Sequence, residues 1–131
     1  MDDGPLVVDT DLLIDFLRGR GPGADAVEGW LRAARLRVTA VTAYELRLGA
    51  DFLRRETPIT RLIVDRTLPL DLAAALKAGA VATALRARGT PIGVRDTLIG
   101  GICLRFGLPL ATRNVAHFSR VEGLVLADLA A

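Results

Sequence analysis

Cysteine occurs once in the 131 residues, at Cys103, histidine once, at His117, and lysine once, at Lys77. A single thiol excludes an internal disulfide and any cysteine-based zinc cluster. Cys103 lies in the apolar helical stretch Leu98 to Phe106, so a buried, inert thiol is expected. No apolar run approaches the roughly 20 residues that a membrane span requires. The start, Met1-Asp2-Asp3-Gly4, is acidic where a secretory signal is basic. These features lead us to expect a cytoplasmic protein without a membrane partner. Basic tails, aromatic-studded basic strands, repeats and dividing linkers are also lacking. One domain over residues 1–131 is expected.

What is present is apolar and rich in arginine. Hydrophobic residues make up 51% of the chain and charged residues 24%, which allows a real core and argues against disorder. The net charge is only +2, yet the sequence pI is near 9.3. Sixteen of the 17 basic residues are arginine, a residue suited to planar contact with phosphate.

Apolar patterning alternates between strands and helices. Leu6-Val7-Val8 reads as a buried strand ending at Asp9. Leu12, Leu13, Phe16 and Leu17 follow at helical spacing, and Gly19 to Gly23 stops that helix. Ala24 to Arg35 is a second helix, Leu36 to Val41 is strand-like, and Thr42 opens a helix ending near Gly49. Asp51 to Asp65 is helical with an interruption at Pro58. Thr67 to Leu70 is a strand, Asp71 caps a helix over Leu72 to Arg88, and Asp96 to Phe106 is helical. Leu108 to Thr112 and Gly123 to Leu126 are strands. The alternation predicts an α/β fold of three layers, α/β/α, with a mostly parallel central sheet of four to five strands. In such sheets, sites lie beyond the carboxyl ends of the strands.

Three carboxylates stand out. Asp9 directly follows a buried strand, although it also suits a helix N-cap. Glu45 completes Thr42-Ala-Tyr-Glu45, a capping-box pattern in which the glutamate satisfies a backbone N–H. Asp96 shares the apolar face of Ile99 and Cys103, which turns it toward the core, where a carboxylate needs a partner. Gly100, one turn on, leaves space beside it. No lysine or arginine partner is specified by the pattern. If the three converge, their repulsion must be relieved by protons or by a cation. A hard divalent ion such as Mg²⁺ suits all-oxygen ligands.

Taken in order, Val7-Val8-Asp9-Thr10-Asp11, Thr42-Ala-Tyr-Glu45-Leu46-Arg47-Leu48-Gly49, Asp96-Thr-Leu-Ile99-Gly-Gly and Ala111-Thr112-Arg113-Asn114-Val115-Ala116-His117-Phe118 resemble the successive motifs of the PIN domain, and in particular the VapC-type toxins of bacterial toxin–antitoxin pairs. The resemblance spans essentially the whole chain. It implies a Mg²⁺-dependent endoribonuclease, with Mn²⁺ as a possible substitute, acting on RNA. It also implies a homodimer silenced by a small cognate antitoxin of the VapB kind. Asp9, Glu45 and Asp96 take the places of the family's acidic cluster. Thr112 and Asn114 match its Thr-x-Asn element, which positions the cluster or its water. Two departures are visible: Asp11 replaces the usual asparagine, and His117 stands where a fourth acid is common.

Arg95 and Arg113 are candidates to hold the RNA backbone. Trp30, Leu12 and Phe16 are candidates for an antitoxin-covered groove, with core burial as their other reading. The antitoxin is expected to reach the acidic cleft with a basic side chain. Two other readings compete. Asp9-x-Asp11 after a strand also fits a haloacid-dehalogenase-like phosphatase with Asp9 as nucleophile. That chemistry needs a later lysine, and Lys77 sits in mid-helix. A catalytically weak PIN-like binding module is the other; it would need a lost carboxylate.

Overall fold

The structure is a computed structural model that describes residues 3–129. Met1 and Asp2, part of the acidic start, lie outside the described residues. Four parallel strands run in the order β3-β2-β1-β4. They are β1 (Leu6–Val8), β2 (Leu36–Thr39), β3 (Thr67–Leu68) and β4 (Leu110–Ala111). The register pairs Leu6 with Leu36, Val38 with Thr67, and Val7 with Leu110. Three-layer α/β/α architecture is thus observed as expected. The expected last strand is reduced to one parallel bridge between Leu110 and Leu126.

Side chains alternate across a strand, and both faces of β1 are covered. Leu6 and Val8 pack into one core with Leu12, Leu13, Val27, Trp30 and Ile59. These residues belong to α1 (Thr10–Arg18), α2 (Gly23–Arg32) and α4 (Glu56–Ile63). Val7 points the other way, into a core with Leu85, Ile99, Cys103 and Phe118. That side is built by α5 (Leu72–Ala87), α6 (Val94–Phe106) and α7 (Val115–Phe118). The remaining helix, α3 (Ala40–Leu48), leaves the end of β2. Among the described residues, no helix is long and apolar enough to cross a membrane.

Element ends moved for local reasons. Helix α2 stops at Arg32 because Ala34 takes a left-handed φ of 58° and the chain turns into β2. Strand β3 stops before Pro69, which has no N–H to give a ladder. Pro58 falls in the first turn of α4, where its missing N–H costs nothing. A short 3₁₀ turn, Leu53–Arg55, precedes it. Trp30 and Leu12 are core residues and Phe16 is half-buried, so Trp30 and Leu12 offer no groove to an antitoxin. Their helical stripe faces the sheet instead. Cys103 is buried as expected, and burial first, then the Asp9 charge, push its thiol up to about 12.

Adjacent glycines on α6 have opposite surroundings. A Cβ on Gly101 would stand 2.6 Å from the Ala74 carbonyl oxygen and 2.6 Å from the Ala78 Cβ, so α5 and α6 touch through it. A Cβ on Gly100 would meet the Val121 methyls at 3.8 Å, ordinary contact. Gly101→Ala should therefore lower stability by about 1–3 kcal/mol through overpacking. Gly100→Ala should leave it unchanged or raise it by about 0.5–1 kcal/mol. Urea unfolding of the two variants checks the contrast; equal shifts would contradict the packing described.

Candidate active site

The end of strand β1 and helices α3 and α6 carry the acidic residues to the carboxyl edge of the sheet. Asp9 is the first residue after β1. Its backbone is extended (φ −67°, ψ 155°), and its Oδ1 accepts from Thr10 N at 2.8 Å. It is therefore the N-cap of α1 and, at the same time, a 2%-exposed carboxylate pointing into the cleft. The two readings of Asp9 are compatible because a capping oxygen leaves the other oxygen free for another donor. That donor is Thr112, whose hydroxyl gives to Asp9 Oδ2 at 2.7 Å.

Glu45 does not close a capping box. The N-cap of α3 is Thr39, whose hydroxyl accepts from Thr42 N at 3.2 Å, so the helix starts before Thr42 and β2 ends before Val41. Thr39 and Thr42 are equally suited to cap, and the buried end of β2 decides in favour of the first. Thr42 is then inside the helix, and Glu45 lies one turn further on, facing the cleft. Thr10 donates its hydroxyl proton to Glu45 Oε1 at 2.5 Å. A threonine has one such proton, so the 2.9 Å contact between Thr10 and Thr42 must have Thr42 as donor. Thr42 to Thr10 to Glu45 is thus a directed chain linking α3 back to α1.

Asp96 lies in the first turn of α6 and is 5% exposed, as its face predicted. Its Oδ2 receives Asn114 Nδ2 at 3.1 Å and His117 Nδ1 at 2.8 Å. His117 Nδ1 also lies 3.0 Å from Asn114 Nδ2, so Asp96, Asn114 and His117 meet at one point. The Asn114 backbone N–H gives to the Thr112 hydroxyl at 3.0 Å, which fixes the turn after β4. Asp9, Glu45, Asp96, Thr112, Asn114 and His117 are all brought together. Asp11 is exposed on α1. Arg113 pairs with Asp15 at 3.1 Å, outside the acidic cluster.

One sequence expectation is overturned. The three carboxylates do have a basic partner, and it is Arg95. Its Nε meets Glu45 Oε2 at 2.6 Å, its Nη1 meets Asp96 Oδ1 at 2.5 Å, and its Nη2 meets Asp9 Oδ1 at 2.7 Å. Burial opposes the arginine's charge, but bonds to Glu45 and the Asp9 charge outweigh it and hold the guanidinium protonated far above its ordinary range. Repulsion among the carboxylates is thus relieved by this chain's own cation. Thr10 and Thr42 are members that pattern reading missed, and Arg95, expected to hold the RNA backbone, is turned onto the three carboxylates instead. The signal for Arg95 was its place in the first turn of α6, where a positive charge opposes the helix dipole.

The donor set suits a hard divalent ion: three carboxylates, with hydroxyl and amide groups behind them and no sulfur. With Arg95 in place, the oxygens ring a planar group instead of facing one point. Among the described residues, no three acidic, histidine or cysteine side chains are close enough together to hold an ion as they stand. Side-chain satisfaction is complete: no buried side-chain nitrogen or oxygen among the described residues lacks a hydrogen bond. Thr112→Val should therefore orphan one Asp9 oxygen and the Asn114 N–H, costing about 1–3 kcal/mol. Thermal unfolding of the variant measures this, and a stability equal to wild type would mean the Thr112 hydroxyl holds neither group.

The chain is similar to known proteins. The PIN domain family model matches residues 6–124. Ribonuclease VapC10 of Mycobacterium tuberculosis is 33% identical over 123 residues, covering 91% of this chain and 90% of that one. The tRNA(fMet)-specific endonuclease VapC of Salmonella typhimurium is 29% identical over 103 residues, covering 75% of this chain and 78% of its own. Among solved structures, DNA-bound VapBC from Salmonella typhimurium superposes with a TM-score of 0.81 at 24% identity, over 96% of this chain and 98% of that one. With four parallel strands, a cleft of acids at their carboxyl ends and a family match over nearly its full length, the chain belongs to the PIN domain family, in its VapC branch.

Proposed function

We propose that this protein is a divalent-metal-dependent endoribonuclease and the toxin of a toxin–antitoxin pair. The observation that carries the reading is the meeting of Asp9, Glu45 and Asp96 at the carboxyl edge of the sheet in a PIN domain chain. Nucleases of this family generally use divalent metal ions. Mg²⁺ is the ion we expect, with Mn²⁺ as a substitute. Asp9 and Asp96 would hold it directly, and Glu45 directly or through a water.

The ion, when bound, supplies a more acidic water and stabilises charge on phosphoryl oxygens. The chain's own residues do the rest. Thr112 fixes the rotamer of Asp9, Asn114 and His117 fix Asp96, and Thr10 fixes Glu45, so the carboxylates are oriented before substrate arrives. In the reaction, a water oxygen bonds to phosphorus, the bond from phosphorus to one ribose oxygen breaks, and the water's proton ends on that oxygen, giving a ribose hydroxyl and a terminal phosphate. The phosphatase reading loses ground because it needs a lysine at the site. Lys77 is exposed on α5, away from the cleft.

An uninhibited ribonuclease harms its host, so a small VapB-like antitoxin completes the proposal. The likeness of this fold to the solved VapBC of Salmonella typhimurium and VapBC-1 of Haemophilus influenzae supports it. A homodimer in the cytoplasm is also proposed. Exposed Tyr44, Leu48, Leu70 and Val94 line an apolar groove with Glu45 and Arg95 that is suited to a protein partner.

Purified protein freed of antitoxin should cleave RNA with Mg²⁺ or Mn²⁺ and stop with a chelator. Asp9→Asn and Asp96→Asn should each lower the rate at least ~100-fold, of the order seen when one stabilising group is removed from a catalytic site. Circular dichroism establishes that the variants are folded. Wild-type rates in folded variants, or cleavage indifferent to chelation, would refute the assignment.

A further inference from the structure

We propose that Arg95 is a built-in competitor for the divalent cation: its guanidinium and the metal take the same place among Asp9, Glu45 and Asp96, and binding of one displaces the other. This rests on the metal-dependent reading above.

The geometry is specific. Nε, Nη1 and Nη2 are each spent on a different carboxylate, at 2.5–2.7 Å. An arginine fork more often grips one carboxylate with two nitrogens. Spread over three, it is a bridge that occupies their common centre. Local preference does not put it there, since a cation in the first turn of α6 faces the positive end of the helix dipole. The carboxylates hold it against that preference. Charge balance then favours exchange. One guanidinium leaves two of the three carboxylate charges unmatched, and a divalent ion in its place leaves only one.

An exit exists. Taken for side chains alone, Arg95 is 34% exposed, whereas Asp9 and Asp96 are 3% and 7% exposed. The arginine is thus the accessible member of the cluster and the carboxylates are the fixed ones. Arg95 already lines an apolar groove with Tyr44, Leu70, Val94 and Leu98. Methylenes can lie along that wall while the charged head reaches solvent. Glu45 also lines this groove, so the released guanidinium stays at the mouth of the acidic cleft.

Mn²⁺ binding to the metal-stripped full chain, followed by electron paramagnetic resonance, tests the proposal with three proteins. Arg95→Gln should bind Mn²⁺ at least tenfold more tightly than wild type. Arg95→Lys, which keeps the charge but loses the three-way fork, should fall between them. Arg95→Gln should also melt below wild type in chelator and gain more from added Mn²⁺. A merely structural role would lower the melting temperature without tightening metal binding. Equal or weaker affinity in Arg95→Gln overturns the competition and leaves the metal site standing. Absence of Mn²⁺ binding in all three overturns the competition and the metal-dependent function together.

Discussion

Three carboxylates that would otherwise repel one another share a single guanidinium, and the functional edge of this protein is organised around that meeting. Asp9 comes from the end of β1, Glu45 from α3 and Asp96 from the first turn of α6. Two of the three are nearly sealed from water. Buried charge is tolerated only when paired and hydrogen-bonded. Each acid therefore carries its own set of donors, and Arg95 supplies the common counter-charge. That cation draws together the end of β1 and the start of α6.

The parallel sheet makes the meeting possible. All four strands deliver their carboxyl ends to one edge, so residues far apart in sequence need only follow a strand or open a helix to converge. Contacts behind the cluster continue the same logic. The Thr42–Thr10–Glu45 chain ties α3 to α1, and the Thr112–Asn114–His117 turn ties β4 to β1 and α6. The floor is rigid because β1 is covered on both faces and α5 meets α6 at Gly101 without room for a methyl group.

Much of this was legible in the sequence. The Leu6-Val7-Val8-Asp9 step, the inward face of Asp96 with Ile99 and Cys103, and the helix and strand alternation all correspond to what is observed. The legible parts depend on local period and on charge at a strand end. Glu45 was harder, because Thr42-x-x-Glu satisfies a capping rule that Thr39 satisfies one turn earlier, and only the end of β2 decides between them. Arg95 was harder still. Its role depends on three residues from distant segments, and its position one residue before Asp96 places it, by helical spacing alone, off the Asp96 face. A long flexible side chain reached what spacing could not show.

The most direct measurement is a crystal structure of the protein grown with Mn²⁺, using the metal's anomalous scattering to locate it. The account predicts one strong peak among Asp9, Glu45 and Asp96, with the Arg95 guanidinium moved out toward the groove of Tyr44 and Val94. A peak elsewhere, or a metal at the acids with Arg95 still bridging all three, would contradict it.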